Sequence, residues 1–231
     1  AMLIGWDSDR IEELWNLMYW RTLAHGRRGL IMGAISGIDI ALWDLLGKSV
    51  HKPVYQLLGA CSDWVPSYAS GGFYAPGKDL DGLKTELEGY RKKGYRDAKI
   101  KIGRNLDRPG TPFSYMANQE WSVSVEEDYL RVEAAKAILG DGRLAVDSNA
   151  SWDSFTAIQR GKELLRLGVC GMEEPIPFED QEGLCRIGRQ LPEMQIVGCE
   201  TQQGLKNFEN MVKAEALTIV QPDVGWAGGI T

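Results

Sequence analysis

Four acidic residues recur at a regular interval in the second half of the chain: Asp147, Glu173, Glu200 and Asp223, with steps of 26, 27 and 23 residues between them. Upstream, residues 98–102 read Ala-Lys-Ile-Lys-Ile, so Lys99 and Lys101 stand two apart. A strand alternates its side chains between two faces, which puts both lysines on one side and Ile100 and Ile102 on the other. The same alternation groups Asp147 with Asn149 and turns Glu173 away from Met172. Carboxylates gathered from neighbouring strand ends repel one another unless a cation lies among them. A divalent metal resolves that repulsion for Asp147, Glu173 and Glu200. All three are hard oxygen donors and no histidine or cysteine is well placed beside them, which suits Mg2+ (or Mn2+) better than zinc.

Two competing readings need weighing. An acidic residue just past a strand often caps the next helix, and a Lys-Ile-Lys strand can be a solvated sheet edge. Three acids in consecutive units facing two lysines favour the metal, and an inward lysine pair is tolerable only where carboxylates or an anionic ligand meet it.

The elements that must position these residues follow from periodicity. Apolar residues recur at three- and four-residue steps over Asp9–Leu23 and again over Met32–Leu46, predicting two helices, the second stopped by Gly47. Pro53 opens a short turn of helix, Val54 to Leu58, that Gly59 ends. From about Val65 the rhythm changes to short apolar runs separated by amphipathic segments: strands at Val65–Ala69, Ala98–Ile102, Leu144–Asp147, Val169–Glu173, Ile196–Cys199 and Thr218–Gln221, with helices at 79–93, 127–139, 153–167, 179–190 and 204–214. Strand and helix in alternation predict a parallel sheet with helical crossovers. A step of about 25 residues is one unit of a closed eight-unit barrel, whose functional residues stand at the carboxyl ends of the strands. No GxGxxG follows the first strand, so a dinucleotide site has no support. The longest irregular stretch, Arg104–Ser124, is of a length that is usually functional or mobile, and a flap over the barrel mouth is one reading of it.

At 231 residues, 44% hydrophobic and 25% charged, the composition is that of a globular α/β protein rather than a disordered or collagen-like one. Purely apolar stretches of only a few residues argue against a membrane span. An excess of 32 acidic over 26 basic residues, net −6, argues against a nucleic-acid groove. Cys61, Cys170, Cys185 and Cys199 form no CxxC pair and are expected as reduced thiols. The expected partner is a small-molecule carboxylate, with no nucleic acid and no membrane; a cytoplasmic homo-oligomer is expected.

As a set, several segments resemble the enolase superfamily in order and spacing. They are Ala-Leu-Trp-Asp-Leu-Leu-Gly-Lys at 41–48, Pro-Val-Tyr-Gln-Leu-Leu-Gly at 53–59, the Lys99/Lys101 pair, Asp147-Ser-Asn149, Glu173-Glu-Pro175, Gly198-Cys-Glu200, Gln221-Pro-Asp223 and Gly-Gly-Ile-Thr at 228–231. The resemblance implies a TIM-like (β/α)7β barrel, of which about the first six strand–helix units are present at 63–231, preceded at 1–62 by the helical part of an α+β capping domain. It implies Mg2+ held by Asp147, Glu173 and Glu200, and abstraction of the proton α to a substrate carboxylate. Lys101 would be the base, with Lys99 and Asn149 binding substrate. Glutamate at 200 and Gln-Pro-Asp at strand six are closer to the mandelate racemase subgroup than to the muconate cycloisomerase one. There the strand-six aspartate, here Asp223, supports a general-acid histidine on strand seven. The only histidines, His25 and His51, lie in the cap region, and the chain is expected to be incomplete at both ends. The implied activity is dehydration of an acid sugar. The alternatives are a racemase or epimerase and a non-catalytic metal-binding remnant.

Overall fold

The computed structural model describes residues 2–104 and 123–231. The expected Arg104–Ser124 flap therefore lies, from 105 to 122, outside the described residues.

The chain divides into two compact units, one of residues 1–65, 199–210 and 221–231, the other of 66–198 and 211–220. The first contains α1 (Ile11–Thr22), α2 (Leu30–Ser49), α3 (Val54–Leu57) and α9 (Val224–Ala227). Gly47 does not stop α2, which runs on to Ser49. Its missing side chain serves packing instead, since a Cβ there would lie 2.6 Å from the Lys52 carbonyl as the chain turns back. At 20 residues and a mean hydropathy of 1.6, α2 is by length and composition long and apolar enough to cross a membrane. Short apolar runs hid this, because Ser36, Asp39 and Asp44 interrupt them. Two of those three are buried and hold backbone. Asp39 accepts from the amides of Ile230 (2.6 Å) and Thr231 (2.9 Å) and from the Thr231 hydroxyl, while Ser36 Oγ accepts from Gly228 N at 3.0 Å.

The second unit holds one parallel sheet of six strands in the order β1-β2-β3-β4-β5-β6. They are β1 (Ala69–Gly71), β2 (Ala98–Lys101), β3 (Leu144–Asp147), β4 (Val169–Glu173), β5 (Gln195–Gly198) and β6 (Ile219–Val220), with α4 (Leu80–Lys92), α5 (Val125–Leu139), α6 (Ser154–Arg166) and α7 (Gln181–Gln190) between them; α8 (Leu205–Lys213), which follows β5 in the chain, is divided between the two units. This is the strand order of the first six units of a (β/α) barrel. The expected first strand, Val65–Ala69, is displaced: Val65 is exposed and Pro66 follows it, while pairing with β2 begins at Ala69. Strand β2 is paired on both sides, which removes the sheet-edge reading of its lysines.

Ile100, Val146, Met172 and Ile196 stand in register across β2–β5 and are buried, forming the row that the helices cover. Each such side chain contributes about 1.5–3 kcal/mol on burial. The helices start on side-chain caps. Asp79, Asp153 and Asp180 accept amides in the first turns of α4, α6 and α7, and Ser124 with Glu127 forms a reciprocal capping box on α5. The caps of α6 and α7 are thus Asp153 and Asp180, which frees Asp147 and Glu173 from the capping role. All four cysteines lie outside any disulfide.

Candidate active site

Lys101, Asp147, Glu173 and Val197 stand side by side on four neighbouring strands, on the face opposite the apolar row. The alignment of Glu173 depends on an irregularity. Leu144 pairs with Val169 but Ala145 with Gly171, so one extra residue in β4 brings Gly171 and Glu173 onto the face of Ala145 and Asp147. Lys99 lies one row earlier, beside Ala145, whose own partner across the sheet is Gly171. Those small residues leave room for its side chain to run up toward the carboxylates.

All four charged groups are buried: Lys99 is 6% exposed, Lys101 7%, Asp147 0% and Glu173 2%. They neutralise one another in pairs. Lys101 Nζ donates to Asp147 Oδ2, Lys99 Nζ to Glu173 Oε2 at 2.6 Å, and Lys99 Nζ also lies 3.6 Å from Asp147. Burial pulls the Lys99 pKa down, but the Glu173 charge, its hydrogen bond and the Asp147 charge outweigh that, so the ammonium titrates above its ordinary value. The Asn149 amide donates to Asp147 Oδ1 at 2.9 Å, fixing the carboxylate from the other side.

Backbone at the carboxyl ends of the strands is left-handed in several places: Asn149 (φ 47°), Ala150 (59°), Glu174 (39°) and Cys199 (81°) among non-glycine residues. Each such residue costs about 1–3 kcal/mol and persists only where its surroundings hold it. Glu174 is held by its amide, which donates to Val197 O, and by its carbonyl, which accepts from the Ala150 amide and the Ser148 hydroxyl. It is 5% exposed and its side chain lies beside Gly198.

The structure brings together two of the three carboxylates expected to hold the metal, Asp147 and Glu173. Among the described residues no group of three His, Cys, Asp or Glu side chains is placed to hold a metal ion. Asp147 and Glu173 do come together, with lysine ammoniums between them. Glu200 is half-buried in the turn after β5, where the left-handed Cys199 takes the chain out of strand alternation before the acid is reached. Asp223 serves as the N-cap of α9, its carboxylate accepting from Gly225 N at 2.8 Å.

Sequence reasoning missed the frame around Lys101. From α5, Arg131 donates to the carbonyl of Gly72 at 2.5 Å and to that of Lys101 at 3.4 Å, and its guanidinium lies 4.3 Å from the Tyr74 ring centroid. Asp128, one turn earlier, accepts from Gly103 N at 2.8 Å and from the Tyr74 hydroxyl. Burial first, then the Asp128 charge, pushes the Tyr74 pKa well above its ordinary value, so the phenol remains a donor. The signal was present: Asp128 and Arg131 share the helical period of the buried Val132, Ala135 and Leu139.

Below this frame Glu86 accepts from Gly72 N (3.1 Å), the Tyr90 hydroxyl (2.7 Å) and Lys78. Burial raises its pKa, but those bonds and the Lys78 charge outweigh it, and the carboxyl titrates below its ordinary 4.5. A carboxyl whose pKa is lower folded than unfolded stabilises fully above the unfolded value and loses that contribution as pH falls through the folded one. Urea midpoints followed from about pH 6 down to about pH 3 are therefore expected to fall less steeply for Glu86→Gln than for the native chain. Parallel curves would show that Glu86 adds nothing to acid sensitivity.

Comparison with known proteins agrees with this geometry. Residues 82–231 match the family model "Enolase C-terminal domain-like" and residues 1–59 match "Mandelate racemase / muconate lactonizing enzyme, N-terminal domain". The chain is 37% identical over 231 residues to arabinonate dehydratase of Saccharolobus solfataricus, covering 100% of itself and 57% of that protein. It is 36% identical to 3,6-anhydro-alpha-L-galactonate cycloisomerase of Streptomyces coelicolor, covering 99% of itself and 58% of that protein. Among solved structures it is similar to L-talarate/galactarate dehydratase of Salmonella typhimurium with Mg and L-lyxarohydroxamate, at 30% identity and a TM-score of 0.84, covering 99% of this chain and 54% of that one. The chain thus spans little more than half the length of these relatives. Matched along both domain models and in its strand order, the chain belongs to the mandelate racemase/enolase superfamily.

Proposed function

We propose that this chain carries the proton-abstracting and metal-binding part of a Mg2+-dependent carbon–oxygen lyase that dehydrates an acid sugar. The observation behind this reading is the buried row of Lys101, Asp147 and Glu173, with Lys99 reaching into it. Burying four charges is costly, and a site that receives an anionic substrate and a cation gives that cost a use. The dehydratases among the relatives, one of them crystallised with Mg, support the same class.

Asp147 and Glu173 fit a hard divalent cation: both are buried carboxylates on adjacent strands, in register, with oxygen donors alone. Glu200, two residues past β5, is proposed as third ligand by its place in the chain. Bound there, Mg2+ would stabilise the negative charge that develops on the substrate carboxylate as its α-proton leaves. Lys99 binds and orients that carboxylate. Lys101 Nζ, in its neutral form, takes the α-proton; the β-hydroxyl takes a proton from a general acid, the role the resemblance gives a strand-seven histidine, and leaves as water, and the enol that remains rearranges to a 2-keto-3-deoxy acid. Asn149 keeps Asp147 aimed through its amide.

The test is incubation of the complete protein with Mg2+ and a panel of acid sugars, assayed for 2-keto-3-deoxy acids and for deuterium uptake at the α-carbon. Keto acid from at least one substrate is the expected result. Deuterium uptake without loss of water on every substrate would replace the lyase with a racemase or epimerase. Neither, with Mg2+ bound, would leave a metal-binding remnant.

A further inference from the structure

Phe73 is half exposed while the residues on either side of it are held inside. A single exposed aromatic is ordinary, but the backbone here is gripped at three points and the next side chain at a fourth. Gly72 N donates to Glu86, Gly72 O accepts from Arg131, Phe73 O accepts from Lys78 Nζ at 2.8 Å, and the Tyr74 hydroxyl donates to Asp128. Gly72 itself has φ 63° and comes so near Ile100 that a Cβ would lie 2.7 Å from the Ile100 Cβ. The frame fixes the backbone that carries an apolar ring, and the ring lies beside Lys101, whose Nζ is 5.3 Å from the ring centroid.

We infer that Phe73 is a substrate-contacting specificity residue, its ring forming the wall against which the carbon chain of the substrate packs while the α-carbon faces Lys101. The inference rests on the reading of Lys101 as the residue that meets the α-carbon. A carbon placed for proton transfer to Nζ lies about 3–3.5 Å from it, which brings its neighbours within contact of a ring already beside that nitrogen. An aromatic face is electron-rich and its attraction is for positive or C–H edges. The wall therefore fits the C–H face of a polyhydroxylated carbon chain and disfavours a second carboxylate on this side. Because the frame fixes the backbone that carries the ring, less ordering entropy is lost when substrate arrives.

The experiment compares Phe73→Ala and Phe73→Leu with the native residue in the complete, Mg2+-loaded protein. It reads kcat and KM, and the Kd of the best acid sugar from the panel measured by calorimetry in a Lys101→Met background. Phe73→Ala is expected to raise KM and Kd about tenfold with kcat within about threefold, and Phe73→Leu, which keeps an apolar wall but loses the aromatic face, to raise them about threefold. Thermal unfolding should be unchanged in both, since the ring is half exposed, and Phe73→Leu decides the matter if the alanine variant unfolds. Kd and KM within twofold of native in both variants overturn the inference. A fall in kcat with Kd unchanged overturns it as well, because loss of cover over Lys101 would give that pattern. The two readings fail separately: α-proton exchange surviving in Lys101→Met rejects the base, whereas the Kd comparison tests the wall whether or not the lysine is the base.

Discussion

Lys101→Met in the complete protein is expected to abolish exchange of the substrate α-proton with solvent deuterium and to lower kcat by a factor of about 10^2–10^4, the range a positioned acid or base supplies. Mg2+ affinity should be retained or rise. The ammonium of Lys101 is bonded to Asp147, a proposed ligand, and its removal takes away a cation competing for that carboxylate. Methionine keeps the length and the apolar stem, so the packing under Phe73 is preserved. Lys101→Arg separates two roles: it keeps the charge but cannot give up its proton. If both variants lose exchange, the lysine is the base. If arginine retains exchange near the native rate, the residue acts only through its charge and the proton goes elsewhere.

Much of this site is legible in the sequence because strand alternation is a strong constraint. Lys99 and Lys101 fall on the face opposite Ile100, and Asp147 on the face opposite Val146, as the pattern requires. Glu173 joins them for a reason the sequence does not announce. Were the register of Leu144 and Val169 simply continued, Met172 would stand beside Asp147. The irregularity at the start of β4 shifts the pairing by one and reverses the faces. Glu200 shows the same dependence in the opposite direction, since alternation ends at Cys199, where φ is positive.

Strand positions were hardest to read where composition misleads. The apolar run around Val65 looks like a strand, yet Pro66 and the exposure of Val65 exclude it, while Ser70 and Gly71 carry the pairing because β2 supplies a partner. The frame on α5 was hidden for a related reason. Asp128 and Arg131 read as surface charge by residue type, and only their helical phase shared with Val132 and Leu139 places them inside. Besides Tyr74, their partners are backbone groups of Gly72, Lys101 and Gly103, which no pattern of side chains reveals.

Asp147→Asn should lower the stability of the metal-free protein by about 3–5 kcal/mol, the cost of leaving a buried ion without its partner. Asp147 is fully buried, bonded to Lys101 and 3.6 Å from Lys99. The amide is nearly the same size and can still accept from the Asn149 amide, so the loss isolates charge rather than shape. Lys101 then loses the carboxylate it is bonded to, while Lys99 keeps Glu173. Combining Asp147→Asn with Lys101→Met removes one uncompensated charge, and the double variant should be more stable than Asp147→Asn alone, with a coupling energy at the upper end of about 0.5–3 kcal/mol. Denaturant unfolding of the four proteins measures that cycle directly. A second readout comes from the metal: Mg2+ stabilises the native protein in proportion to the logarithm of its concentration over Kd, and that stabilisation should vanish in Asp147→Asn. Destabilisation under about 1 kcal/mol with the Mg2+ shift intact would mean that the lysines find compensation elsewhere and that Asp147 is not a ligand. A large loss of stability with the Mg2+ shift intact would keep the ion-pair row and reject Asp147 as the ligand, because the two roles draw on the same carboxylate through different partners.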